Sequence, residues 1–488
     1  MAASRGVGKH GFVREHGLLT EVQQEAGQRS AALLEEQGIR TVRMIWVDQH
    51  GAPRAKFMSA PDYLASLENG IDFSAALFNM DSANNMFTAV FTPGGGLDID
   101  ELTGFPDMVL VPDPSTFRVL PWADRTAWVL TDAYFANGRP VPLDGRRLLR
   151  TQVEAAEALG YDYVAGLEVE FYLLRRDTDR IELSEGGWPP PPPRVSLLEH
   201  GYQYLSEVRL AGINDVVEKF RDAYIDLGLP LRSIEDEWGP GQLEVTFDPM
   251  TGIDAADAMV LFRSTAKQIA QANGLHATFM ARPGLPNMFS SGWHLHESLR
   301  DRATGENAFT SDDAEHSLSL VGRQFVAGLL EHALPSMVFS APTINAYKRY
   351  KPYSFAPDRA VWADENRGSM IRVQGEPFER GAHIENRVGE PAANPYFYLA
   401  SNIAAGLDGI RRDLTPPPMS GADPYATEAP KLPTSLWEAV DRLAEDTFFP
   451  EVFGANFVRF ITAMKRNEVG RFLSEVTDWE MREYFEFF

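Results

Sequence analysis

The chain has 488 residues with a formal charge of −24, 44% hydrophobic and 23% charged positions, and no cysteine. That length calls for more than one core, and the ordinary hydrophobic share excludes a disordered or fibrous chain. The acidic balance argues against a nucleic-acid or anionic-membrane partner, and the missing thiols exclude disulfides, thiolate metal sites and a cysteine nucleophile.

In chain order, the N-terminus has basic residues with no apolar run behind them, which is not a signal-peptide pattern. No stretch of about 18 apolar residues exists to span a membrane, so a cytoplasmic protein is expected. Residues 1–35 read as a loosely ordered lead or a short helix. Residues 38–59 alternate around Asp48-Gln-His-Gly51 and predict a hairpin with Val42, Met44 and Trp46 on one face. Residues 60–137 mix short helix and strand signals. The triplet Gly94–Gly96 is a loop without the lysine of a phosphate cradle, Gly6–Lys9 lacks P-loop spacing, and no G-x-S-x-G elbow occurs.

From about residue 142 the pattern changes. Helices are predicted over Arg146–Leu159, 213–227 and 254–272, each closed by a glycine or an adjacent stop signal. Strands are predicted over Tyr161–Leu174, 276–282, 291–299 and 382–388, and Pro189–Pro193 as an extended surface loop. This describes a small N-terminal α/β unit followed by a large α+β unit with antiparallel strands, and no fixed-period repeat.

Chemistry-bearing residues gather on those strands. Glu168 and Glu170 are two apart on an otherwise apolar strand and so leave on one face; they are either a solvated face or a cation site, because buried like charges require compensation. Glu237 and Glu244 flank a glycine–proline turn, His294 and His296 share a strand face, and Glu385 lies on the last strand. Five glutamates and an imidazole without sulfur suit hard ions such as Mg²⁺ or Mn²⁺. Lys348, Arg349, Arg367 and Arg372 form a local cationic concentration in an acidic chain, and cations beside metals are what phosphoryl transfer needs.

These segments in this order resemble the glutamine synthetase family, type I branch: the Asp48 hairpin, Gly166–Phe171, Glu237–Glu244, Gly292–Ser298, Asn345–Arg349, Asn366–Arg372, Ile384–Arg387, Pro391–Pro395 and Ala405–Gly409. The resemblance implies a β-grasp domain over 36–140 after the lead, a catalytic domain over 141–488, and a funnel-shaped active site. It also implies a homododecamer of two hexameric rings with sites shared between neighbours. By motif, Glu170, Glu237 and Glu244 would hold one metal, and Glu168, His294 and Glu385 a second, with two or more Mg²⁺ or Mn²⁺ ions per site. Arg349 and Arg387 would face L-glutamate, with Ser290 in the glutamate-contacting loop. Arg367, Arg372, His296 and Ser298 would contact ATP. Asp48, Arg349 and Arg367 would act on the reacting groups, Asp48 by reaching a neighbour's amine site and taking the amine's proton.

The sequence departs from the family's ammonia-using members at three places. Phe355 stands where they carry a glutamate that binds and deprotonates ammonium; Glu235 and Asp236 replace two histidines; and the loop before His294 reads Phe289-Ser-Ser-Gly292. Tyr425 lacks the surroundings of the family's adenylylation tyrosine. An apolar ring in the amine site disfavours ammonium and suits an amine with a hydrocarbon body. The expectation is an ATP-dependent ligase joining the glutamate γ-carboxyl to an aromatic or alkyl amine. The alternatives are a glutamine synthetase proper and a non-catalytic ring.

Overall fold

The computed structural model describes residues 11–178 and 180–488, so the Gly6–Lys9 reading and the first ten residues of the lead lie outside the described residues. Residues 11–36 are more ordered than expected. A helix runs over Glu21–Glu36, started by a Thr20–Gln23 capping box, and the preceding turn buries Phe12 and Val13. Reciprocal capping satisfies two otherwise orphaned N–H groups, which is why the helix begins there.

The first sheet has six strands: β1 (Thr41–Val47), β2 (Pro53–Ser59), β3 (Ile71–Ser74), β4 (Asp107–Pro112), β5 (Arg118–Val119) and β6 (Thr126–Tyr134). Its order is β2-β1-β6-β4-β3, with β5 also on β6. β1 and β2 form the expected antiparallel hairpin, while β1 pairs β6 in parallel. Val42, Met44 and Trp46 are all buried on the shared face.

The second sheet has nine strands: β7 (Tyr161–Arg176), β8 (Val195–Ser196), β9 (Leu231–Asp236), β10 (Gln242–Thr251), β11 (Leu275–Thr278), β12 (Trp293–Asp301), β13 (Trp362–Asp364), β14 (Ile371–Gln374) and β15 (His383–Gly389). The order is β13-β14-β15-β12-β7-β10-β9, with β11 and β8 on the far end of β7. All pairs are antiparallel except β13–β14. β11 ends at Thr278, four residues short of the predicted strand, and the chain leaves the sheet towards Arg282, whose backbone is tied to the side chain of Asn345.

Strand period explains the sheet's two faces. Along β7, Tyr163, Ala165, Leu167, Val169 and Phe171 are buried against helices, leaving Gly166, Glu168 and Glu170 on the opposite side. The helices behind are Gly145–Ala158, Asp254–Ala272 and Pro395–Arg411. The first starts at Asp144, which caps Arg147 N–H and also accepts from the Trp46 indole, joining the two sheets' units. The hairpin turn docks on the same body: Arg263 donates to the Gly51 carbonyl and Asn394 to that of Asp48. Gly51 sits at φ 74°, and a Cβ there would lie 2.9 Å from the Asn394 backbone, so the close approach requires glycine.

Candidate active site

Cross-strand register assembles the polar face. Directly opposed residues in a sheet share a face, and three rows follow. Glu235 on β9, Glu244 on β10 and Glu170 on β7 form the first. Thr246, Glu168 and His294 form the second, and Gly166, His296, Glu385 and Arg372 the third. Above them opens a cavity of about 1810 Å³. Among the described residues, nothing ahead of Val164 lines it.

Two three-residue groups bring carboxylate and imidazole atoms within 4.8 Å of one another: Glu168, His294 and Glu385, and Glu170, Glu244 and His294. His294 belongs to both. Its Nδ1 lies 2.5 Å from Glu168 and 3.5 Å from Glu385, while Arg349 donates to its Nε2 at 3.2 Å. Without an ion that bond leaves the proton on Nδ1, facing the carboxylates, and a cation held there would take the proton's place. Gly292 permits the contact, since a Cβ there would lie 2.5 Å from the Arg349 guanidinium.

The electrostatics divide the face in two. On the arginine side, burial raises the Glu168 and Glu385 carboxyls, but His294 and Arg387, respectively, more than offset it and hold both below the usual range. Arg387 pairs closely with Glu385, and Arg372 bonds its other oxygen at 3.1 Å. On the opposite side the acids lack such partners. Burial, then Glu237, pushes Glu170 up to about 8; burial, then the charges of Glu168, Glu170 and Glu237, pushes Glu244 to about 11. Burial followed by Glu168 and Glu235 raises Glu237 to about 7. Carboxylates crowded this way are stabilised in their charged form by a cation. The donor set, oxygen-rich with one imidazole, fits a hard divalent ion.

A model of the glutamine synthetase catalytic domain matches residues 142–484. The chain belongs to the glutamine synthetase family. It is 40% identical over 494 aligned residues to the gamma-glutamylanilide synthase of an Acinetobacter species, covering 97% of this chain and 98% of that protein. It is 34% identical to the glutamate–isopropylamine ligase of a Pseudomonas species, covering 92% and 96%. Among solved structures, GmaS without ligand superimposes with a TM-score of 0.78 at 27% identity, covering 93% of this chain and 99% of that one.

Within this glutamine synthetase fold, the residues singled out in the sequence meet around one cavity with one exception. Glu168, Glu170, Glu237, Glu244, Ser290, His294, His296, Ser298, Arg349, Phe355, Arg367, Arg372 and Arg387 all line it, and Glu385 lies beneath His294. Glu237 is on the wall but outside both three-residue groups; His294 takes the third place beside Glu170 and Glu244. Phe355 is 66% exposed in the loop after Arg349, with its carbonyl accepting from Arg387.

Asp48 is the exception, lying outside this chain's own cavity. Its side chain is 1% exposed, with Oδ1 accepting from the His50 and Ala52 backbones and Oδ2 from Arg54 at 2.7 Å. Both oxygens accept hydrogen bonds within their own hairpin, where they organise the turn. Sequence reading also missed the role of Gln242, which donates to Glu170 at 2.9 Å and to Ser291 at 3.0 Å while accepting from Gly239 N–H. Its position two residues before Glu244, on the same strand face, was the available signal.

Proposed function

We propose that this chain is an ATP-dependent ligase joining the γ-carboxyl of L-glutamate to an amine with a hydrocarbon body. The observation carrying the reading is the shared face on which two carboxylate–histidine groups meet Arg349, Arg372 and Arg387. Similarity to an anilide synthase and an isopropylamine ligase supports the choice of amine.

In this reading Glu168, His294 and Glu385 hold one Mg²⁺ or Mn²⁺, and Glu170 and Glu244, with Glu237 beside them, hold another. When bound, these ions neutralise and orient phosphate oxygens. Arg349 and Arg387 orient glutamate, with Ser290 at the edge of its loop. Arg367 and Arg372, helped by His296, neutralise the nucleotide phosphates, and Ser298 lies towards the base. The γ-carboxylate oxygen attacks the γ-phosphorus of ATP and ADP leaves. The amine nitrogen then attacks the acyl carbon, the carbon–oxygen bond to phosphate breaks, and one proton passes to solvent. Arginines placed around the transferring group act by charge stabilisation.

The reading extends to architecture. A small domain over 36–140 of β-grasp type is supported by its mixed sheet, with one parallel pair among antiparallel ones. The catalytic domain follows from 141. A ring oligomer in which a neighbour closes the site is supported by the cavity wall drawing nothing from this chain's own small domain.

The deciding experiment measures glutamate-dependent ADP release with aniline, isopropylamine and ammonium in turn, with product mass confirming the amide. Aniline or isopropylamine turnover well above that with ammonium is expected. Preference for ammonium replaces this reading with a glutamine synthetase proper, and no release with any amine leaves a non-catalytic ring.

A further inference from the structure

Three large aromatic side chains on the acid side of the cavity have no role in the chemistry above. Tyr204, Trp238 and Phe289 all line it and are each close to half exposed, at 47%, 44% and 48%. Tyr204 and Trp238 stack with centroids 5.5 Å apart and planes 8° from parallel. Trp238 and Phe289 lie 6.4 Å apart at 39°. Trp238 follows Glu237 directly in the chain, so this surface borders the carboxylates.

The surface is held in place. Tyr202 N–H donates to the Trp238 carbonyl at 2.9 Å and Leu205 N–H to that of Asp236 at 3.0 Å, fastening the Tyr204 loop along the Glu237 turn. Glu199 accepts from Gly241 N–H and pairs with Arg209, closing that loop's base. On the other side, the Tyr172 hydroxyl accepts from Phe289 N–H at 2.8 Å. Three half-exposed rings fixed by backbone hydrogen bonds are preorganised for a ligand rather than collapsed on one another.

We propose that Tyr204, Trp238 and Phe289 form the specificity wall for the amine, and that it selects a planar arylamine over an alkylamine. The proposal rests on the ligase reading given above and names the substrate class of that site. Aromatic faces reward a flat partner by offset stacking. A cage for an alkylammonium would need faces turned steeply towards one another around the charge; here two planes are within 8° and the third is tilted by 39°, giving an open slanted wall. An arylamine is also uncharged near neutral pH, so it brings no cation to desolvate against this apolar surface. Phe355, in a separate loop and 66% exposed, is not part of this stack.

The test compares kcat/KM for aniline and isopropylamine in the full-length protein and in Trp238→Leu, Phe289→Leu and Trp238→Phe, with saturating ATP and glutamate. The aniline-to-isopropylamine ratio should fall by roughly tenfold or more in each leucine variant, the size expected when a shaped apolar contact is lost. Trp238→Phe should keep most of the parent's ratio, which general damage to the cavity would not allow. Because both residues are close to half exposed, their replacement leaves the core intact, and either leucine variant alone decides the matter. An unchanged ratio in either leucine variant, or a parent that already favours isopropylamine, overturns the wall while leaving the ligase reading standing. A parent that releases no ADP with any amine overturns the ligase reading itself.

Discussion

At the scale of single residues, neighbouring charge separates the buried acids of the polar sheet face from the buried Asp48. Glu170 is opposed in register by Glu244, and both are raised by burial and by neighbouring carboxylates. Glu170→Ala should therefore lower kcat by more than the roughly 100-fold that losing an outer-shell partner costs. Raised Mg²⁺ should recover little of it, as measured by ADP release across a Mg²⁺ titration. Full activity in that variant removes Glu170 from the site. Asp48 behaves oppositely, because its oxygens already serve two backbone N–H groups and Arg54. Asp48→Ala should cost stability, roughly 1–3 kcal/mol for stranded buried donors, seen as a lower Tm. If its part ends at the turn, its KM for the amine stays within about threefold of the parent's. A larger rise in that KM places Asp48 in the amine site that a neighbour closes.

At the scale of elements, the strands turn separate acids into one titrating unit. Glu170 and Glu237 have folded pKa values of about 8 and 7, above the ordinary 4.5, and Glu244 about 11. Raised folded values mean that the native state holds more protons than the unfolded chain between those limits. Stability is then lost as pH rises through that window, by about 1.4 kcal/mol per unit for each such group. Bound divalent ions reverse the sign by favouring the ionised form. In EDTA, Tm should fall between pH 5 and pH 8, and the gain in Tm on adding Mg²⁺ should widen over the same range. A Mg²⁺ effect independent of pH contradicts a carboxylate cation site. Much of this sheet was legible in the sequence. The alternation in β7 located Glu168 and Glu170, and the helix Asp254–Ala272 has the bounds its pattern predicts. The pairing of Glu244 with Glu170 was not, because register between strands about 70 residues apart depends on long-range packing. Separation along the chain also hid the contacts of Trp238 with Tyr204 and Phe289, and the bond from Asn394 to the Asp48 carbonyl, 346 positions away.

At the scale of the whole molecule, the chain ends in surface that one subunit leaves uncovered. The last helix, Asp478–Tyr484, buries none of its residues. Val476, Trp479, Met481, Tyr484, Phe485 and Phe487 are all between 47% and 81% exposed, and Phe488 is 93% exposed. So contiguous an apolar stretch, rimmed by Glu480, Arg482, Glu483 and Glu486, marks a contact site rather than ordinary surface. Each large side chain covered there contributes about 1.5–3 kcal/mol, so a few of them would suffice to hold the subunits of the proposed ring together. Among the described residues the cavity takes no wall from its own small domain, and in the proposed ring a neighbour closes it. Removing residues 476–488 should therefore shift sedimentation velocity from a large oligomer to smaller species. It should also remove most amine-dependent ADP release, while the helix content read by circular dichroism falls by no more than the lost helix itself, because that helix buries no residue against the rest of the chain. Adding the full-length chain carrying Glu170→Ala should restore part of the lost activity if mixed rings form and neighbours complete each other's sites. A truncated protein that keeps both its size and its turnover places the subunit contact elsewhere and leaves the tail without a part in catalysis.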